Sequence, residues 1–133
     1  PELFGAVVCS YPLLDMVRYH KFLVARFWVP EYGSSEDAAQ FQYIRAYSPY
    51  QNVKPGTKFP AALFITGDGD TRVDPLHARK MAALVQAANG GNRPVLLQYD
   101  TKAGHSGGRP MSKIIEDTTD ELSFLFWQLG MAQ

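Results

Sequence analysis

Three short apolar runs are the clearest feature of the hydrophobic pattern. They are Phe4–Cys9, Phe59–Thr66 and Val95–Tyr99, and each gives way to polar or turn-forming residues. Continuous apolar runs of this length are typical of strands that are buried on both faces, as in a parallel sheet. The pattern therefore predicts three parallel strands.

Segments with helical features separate these runs. Leu13–Trp28 mixes apolar and basic residues, and its moderate periodicity is compatible with a helix. The next helix is expected over Glu36–Ala46, with Ser34 or Ser35 as its cap and Tyr47-Ser48-Pro49 at its end.

The second half of the chain carries stronger helix signals. Asp74 predicts an N-cap with Pro75 in the first turn, and Asn89-Gly90-Gly91 predicts the end of that helix. The final helix is expected over Met111–Leu129, with Asp117 outside its apolar stripe. That stripe consists of Ile114, Ile115, Leu122, Leu125, Phe126 and Leu129.

The alternation of strands and helices predicts an α/β fold, with parallel strands flanked by helices. In such sheets functional residues collect at the carboxyl ends of the strands. Two polar loops occupy that position, Gly67–Asp74 after the second run and Thr101–Arg109 after the third. Candidate chemistry is therefore expected in these two loops.

Composition and charge narrow the classes of function. A chain of 133 residues is expected to form a single domain. Its 13 basic and 13 acidic residues balance, which removes the electrostatic argument for nucleic acid or an anionic membrane as partner. The apolar runs are far shorter than the ~20 residues of a membrane span. The opening Pro1-Glu2-Leu3 lacks the basic region of a secretory signal, and the compartment, cytoplasmic or periplasmic, stays open.

Two side chains with reactive groups, Cys9 and His77, are not expected to take part in catalysis. Cys9 is the single cysteine, so it cannot form an internal disulfide, and it is predicted to be a small core residue. His77 falls in the first turn of the helix that follows Asp74, where a solvated surface position is expected.

An acid and a histidine fall at neighbouring strand ends. Asp70 lies in the first polar loop and His105 in the second, which is the order of the last two members of a Ser–Asp–His triad in hydrolases. In a triad the imidazole takes the proton of the nucleophile, while the carboxylate fixes the tautomer of the imidazole. Turn formation by Asp-Gly pairs is the competing explanation for Asp70. The acidic loop follows no EF-hand pattern and no His or Cys pair has zinc spacing, so no metal is predicted.

The second loop also contains the letters of a nucleophile elbow. Gly104-His105-Ser106-Gly107-Gly108 spells G-x-S-x-G, which makes Ser106 an alternative nucleophile and the chain, in that alternative, a small esterase. However, no histidine follows position 106, and adjacent side chains on an extended turn diverge, so His105 is poorly placed to activate Ser106. We expect Ser106 to support the turn.

Several separate motifs, in the same order, resemble those of one protein family. The chain resembles the C-terminal part of the catalytic domain of the prolyl oligopeptidase family, which are serine peptidases with an α/β-hydrolase fold. The matching segments are PELFGAVV from Pro1, LDMVRYHKF from Leu14, Trp28 with EYG from Glu31, YSPY from Tyr47, GDGDTRV from Gly67, PLH from Pro75 and TKAGH from Thr101.

The resemblance implies that Asp70 is the triad carboxylate and His105 the triad base. In the family the nucleophilic serine precedes the segment that Pro1-Glu2-Leu3 resembles. The nucleophile, the oxyanion-hole donors and the β-propeller are therefore expected to be absent from this chain. The implied function is hydrolysis of peptide bonds after proline in short peptides, without a cofactor, and the chain alone is expected to be inactive.

The resemblance also implies substrate-binding residues. Arg72 resembles the arginine that binds the substrate backbone near the scissile bond, and Trp28 the indole that stacks on the substrate proline. Tyr32 and Val73 resemble other walls of that pocket. The expected partners are a short peptide substrate and the remainder of the catalytic domain. Alternatively, the exposed edge of the sheet joins copies of the chain into a non-catalytic oligomer.

Overall fold

A computed structural model of the chain describes residues 2–105 and 109–131. Strands β1 (Ala6–Ser10), β2 (Ala61–Gly67) and β3 (Val95–Asp100) form a parallel sheet in the order β1-β2-β3. Within the described residues, four α-helices accompany the sheet: α1 (Val29–Tyr32), α2 (Ala38–Tyr47), α3 (Leu76–Ala88) and α4 (Met111–Gln128). The predicted α/β class with three parallel strands is confirmed.

The central strand β2 corresponds to a continuous apolar run in the sequence. All seven of its residues are buried, because helices cover both of its faces. On one face Ala62 and Phe64 pack with Met81 and Val85 of α3. On the other face Leu63 packs with residues of α4, chiefly Phe124. Cys9 packs against the α3 side, where partial burial raises the pKa of its thiol, in agreement with a core role.

The segment Leu13–Trp28 does not form an α-helix. It contains two 3₁₀ turns, Tyr19–Lys21 and Leu23–Trp28, separated by an extended Phe22. The chain curls around Tyr19, which is fully buried and donates its hydroxyl proton to the carbonyl oxygen of Gly33 at 2.6 Å. Burial of this ring outweighs the weak helical periodicity, and it raises the pKa of Tyr19 to about 12.

The cap of α2 differs from the prediction. The Asp37 carboxylate accepts hydrogen bonds from the amides of Ala39 and Gln40, both at 2.9 Å, so Asp37 caps the helix. Ser35 instead donates to the carbonyl of Val17 at 2.5 Å, and Ser34 lies in the turn before the helix.

Asp74 caps the start of α3 with its side chain, as the sequence predicts. Its carboxylate accepts a hydrogen bond from the amide of Leu76, the first residue of the helix, at 2.9 Å.

The apolar stripe of α4 is largely exposed. Phe124 packs against β2 and Leu125 is half-buried, but most of the predicted stripe faces solvent, with Ile115 60% and Leu129 52% exposed. Asp117 is buried, contrary to its expected position outside the packed face, because it pairs with Arg109 and Lys113.

None of the helices among the described residues has the length and hydropathy to cross a bilayer.

Candidate active site

The two polar loops at the carboxyl ends of β2 and β3 are joined by their backbones. The Asp68 amide donates to the carbonyl of Asp100 at 2.8 Å, and the Gly69 amide to the carbonyl of Ala103 at 3.0 Å. Gly67 permits this approach, because a Cβ atom there would lie 2.3 Å from the Ala103 oxygen. The loop geometry therefore depends on a glycine at the end of β2.

Asp70 has a buried carboxylate with a complete set of partners. Its Oδ1 accepts hydrogen bonds from the amides of Arg72 and Val73, at 2.8 and 2.9 Å. Its Oδ2 lies 2.8 Å from Nδ1 of His105. The side chain has no exposed surface, so its orientation is fixed by these three bonds.

His105 is bound at Nδ1, and the described residues provide no hydrogen-bond partner for its Nε2. The imidazole is 30% exposed. A proton on Nδ1 is the arrangement that lets the ring donate to the Asp70 carboxylate, and the neutral ring then carries its lone pair on Nε2. Such an imidazole can accept a proton at Nε2 while the carboxylate stabilises the resulting cation.

Two of the candidate substrate-binding residues, Arg72 and Val73, are joined to this pair through their backbone amides. The Arg72 guanidinium carbon is 5.7 Å from the centre of the Trp28 ring, within cation–π range. Trp28 and Tyr32 both pack on the cluster around Tyr19, and Val73 is buried next to Arg72. The fold thus brings Arg72 beside Trp28. It also ties the amides of Arg72 and Val73 to the Asp70 carboxylate. Tyr32 lies at the opposite end of α1 from Trp28.

The remaining candidates are the alternative nucleophile Ser106 and a bound metal. Ser106, the alternative nucleophile, lies outside the described residues. No three histidine, cysteine, aspartate or glutamate side chains meet at a metal-binding distance in the described ranges.

Comparison with known proteins identifies the family. Residues 1–132 match the sequence profile of the prolyl oligopeptidase family. The chain belongs to the prolyl oligopeptidase family.

Relatives in this serine peptidase family are similar over nearly the whole chain. The prolyl endopeptidase of Elizabethkingia miricola is 39% identical over 132 residues, which cover 98% of this chain and 19% of that protein. The prolyl oligopeptidase dbiP of Dendrothele bispora is 41% identical over 133 residues, covering 98% and 18%. The chain therefore spans about a fifth of the length of the curated relatives it matches, in their C-terminal part.

Solved structures of the prolyl oligopeptidase family share the fold. A structure from a study of two prolyl endopeptidases has a TM-score of 0.95 and 49% identity, covering 99% of this chain and 20% of that one. Prolyl oligopeptidase B from Galerina marginata, bound to a 35mer hydrolysis and macrocyclization substrate, has a TM-score of 0.89 and 35% identity. It covers 96% of this chain and 18% of that one.

A buried polar cluster around Asp15 is not apparent from the sequence pattern. The Asp15 carboxylate accepts from Gln51 and Arg18, both at 2.7 Å, and from Lys80. Burial opposes ionisation of Asp15, but the hydrogen bonds from Lys80, Gln51 and Arg18 hold its pKa below the usual value. The Asp15 amide donates to Nδ1 of His77 at 3.1 Å.

The expected surface position of His77 is therefore wrong. The side chain is 1% exposed and turns inward from the first turn of α3. Burial is the main cause that lowers the pKa of His77 to about 4, and the charge of Lys80 adds to it. His77 is a neutral structural imidazole at pH 7. Its helical position pointed to the inner face of α3, four residues before Met81, and this signal was available in the sequence.

Proposed function

We propose that this chain contributes the general base and its orienting carboxylate to a serine peptidase that hydrolyses peptide bonds after proline in short peptides. The observation that carries the proposal is the 2.8 Å contact between Nδ1 of His105 and the fully buried carboxylate of Asp70. Membership of the prolyl oligopeptidase family supplies the class of reaction.

In the proposed mechanism, Nε2 of His105 removes the proton of a serine hydroxyl supplied by the rest of the catalytic domain. The serine oxygen attacks the carbonyl carbon of the proline residue, and Asp70 stabilises the imidazolium that forms. His105 then gives its proton to the leaving amine, which leaves an acyl-enzyme. A water molecule, deprotonated by His105, hydrolyses the ester and restores the serine.

Substrate binding is assigned to the residues beside the pair. A flat indole face suits the proline ring in area and shape, so Trp28 binds it, with Tyr32 and Val73 as further walls. Arg72 binds a substrate carbonyl through its planar fork of donors. The 5.7 Å separation of Arg72 from the Trp28 ring allows one substrate residue to contact both.

The test is a chimera, in which this chain replaces the matching C-terminal segment of the E. miricola prolyl endopeptidase. We expect the chimera to cleave a proline-linked chromogenic peptide, and His105→Ala to lower kcat/KM by about 10⁴-fold or more. Cleavage that is unaffected by His105→Ala would rule out the proposed base. The isolated chain is expected to show no triad-dependent turnover.

Two alternative functions, a small esterase and a non-catalytic oligomer, predict different results for the isolated chain. A small esterase that uses Ser106 predicts hydrolysis of a short acyl ester by the isolated chain, loss of that activity in Ser106→Ala, and labelling of Ser106 by an organophosphonate. A non-catalytic assembly is favoured by the exposed apolar side chains of α4, including Ile115 and Leu129. It predicts an oligomer in sedimentation, and a monomer would count against it.

A further inference from the structure

The hydrogen bond to Asp70 fixes one end of the His105 ring and leaves the plane of the ring to be set by other contacts. A single hydrogen bond at Nδ1 permits the imidazole to rock about that contact. The ring is also 30% exposed, so general burial does not immobilise it. The side chain that packs on the ring therefore matters for where Nε2 points.

Among the described residues, Tyr11, which directly follows β1, makes a ring contact with His105. Its ring centre lies 5.2 Å from that of His105 with an interplanar angle of 60°, an edge-to-face arrangement. The Tyr11 amide donates to the carbonyl of Ile65 in β2 at 2.8 Å, which fixes the backbone to the central strand. Tyr11 has a φ of +49°, a left-handed conformation that is uncommon for a tyrosine.

The Tyr11 ring is itself supported by α4 and the residues before it. The guanidinium carbon of Arg109 lies 5.2 Å from the Tyr11 ring centre. Arg109 pairs with the buried carboxylate of Asp117, which also binds Lys113 at 2.9 Å. A continuous set of contacts thus runs from the interior of α4 through Arg109 and Tyr11 to the imidazole.

We propose that Tyr11 is a positioning residue that holds the plane of the His105 imidazole, with Arg109 as its support. This inference rests on the proposed function of His105 as the general base. Among the described residues the Tyr11 hydroxyl has no hydrogen-bond partner, the Asp70 carboxylate included, so the effect of Tyr11 reaches the reaction through orientation of His105. A ring contact of this kind changes a rate by about twofold to tenfold.

The first test uses the ¹⁵N-labelled 133-residue chain and needs no peptidase activity. The Nδ1 proton of His105 is followed by NMR. In Tyr11→Leu we expect its signal to broaden and its exchange with water to become about tenfold faster, whereas Tyr11→Phe, which keeps the ring, restores the original behaviour. Phe126→Leu is the matched aromatic-to-leucine control on the exposed face of α4, where no change is expected. An unchanged His105 signal in Tyr11→Leu would overturn the proposal.

The second test measures kinetics in the chimera. Tyr11→Leu is expected to lower kcat by about twofold to tenfold with KM unchanged, and Tyr11→Phe to rescue it. Arg109→Met removes the support of the Tyr11 ring but keeps the ring, and it is expected to lower kcat by about twofold. This variant provides a second test if Tyr11→Leu does not fold. A change in KM alone would contradict a positioning role. Insensitivity of the chimera to His105→Ala would refute the proposed function, while the NMR result still decides whether Tyr11 positions the ring.

Discussion

Acidification is expected to destabilise the chain through one buried imidazole. His77 is 1% exposed, its Nδ1 accepts from the Asp15 amide, and its Nε2 is buried without a partner among the described residues. Protonation would therefore place a second donor where the Asp15 amide already donates, next to the positive charge of Lys80. The folded state resists this protonation, while the unfolded chain does not.

The pKa of His77 in the folded state gives the sign and size of the effect. It is lowered from 6.5 to about 4, so between these values the unfolded chain binds more protons than the folded one. The stabilisation that depends on a neutral His77 is complete above about pH 6.5 and is lost as the pH falls toward 4. At roughly 1.4 kcal/mol for each pKa unit, the loss amounts to roughly 3 kcal/mol of the free energy of unfolding.

Urea unfolding at pH 7, 5.5 and 4.5 measures this loss. The matched control is His77→Asn, whose side-chain oxygen can accept from the Asp15 amide but does not titrate. The variant is less stable at pH 7, because it leaves a cavity, yet its free energy of unfolding should fall much less between pH 7 and 4.5. An equal fall in both proteins would refute the reasoning and assign the acid sensitivity to other groups.

Three further predictions follow from single contacts. Gly67→Ala forces a Cβ atom into the Ala103 carbonyl and should lower the free energy of unfolding by about 1–3 kcal/mol in urea denaturation, and an unchanged midpoint would contradict the close loop approach. Asp37→Ala removes the cap of α2 and should cost about 1 kcal/mol in the same assay, with Asp37→Asn retaining most of the stability. Trp28→Ala in the chimera should lower kcat/KM more for a peptide with proline before the scissile bond than for the alanine analogue, and an equal loss for both would remove Trp28 from the proline pocket.

Much of the fold was predictable because β2 is covered on both faces. Burial on both sides explains the uninterrupted apolar run of β2. The runs at β1 and β3 also mark strands, but these strands are less buried than the runs suggest, and Leu96 and Leu97 of β3 are exposed. The positions of Asp70 and His105 at strand ends followed from the same pattern. Their 2.8 Å contact did not, because it depends on the backbone approach of Gly67 to Ala103, which no local pattern records.

The errors have physical causes of two kinds. Asp37 and the Ser34-Ser35 pair are all good capping residues, and only tertiary contacts, such as the Ser35 bond to Val17, decide which one serves. The periodicity of α4 predicts an apolar stripe, but it does not show whether another element covers that stripe, and most of it is exposed. The inward position of His77 agrees with its helical spacing, but a polar side chain in a first turn favours a prediction of solvent exposure.

The central claim is that Asp70 and His105 act as one unit in peptide hydrolysis. Its most direct test is kcat/KM of the chimera on a proline-linked peptide for Asp70→Asn, His105→Ala and the double variant. Residues that act as a unit give strongly non-additive losses, so the double variant should lose no more than about threefold beyond His105→Ala, while Asp70→Asn alone loses about 10⁴-fold. Losses that multiply in the double variant would contradict the claim, because they would show that the two residues act independently.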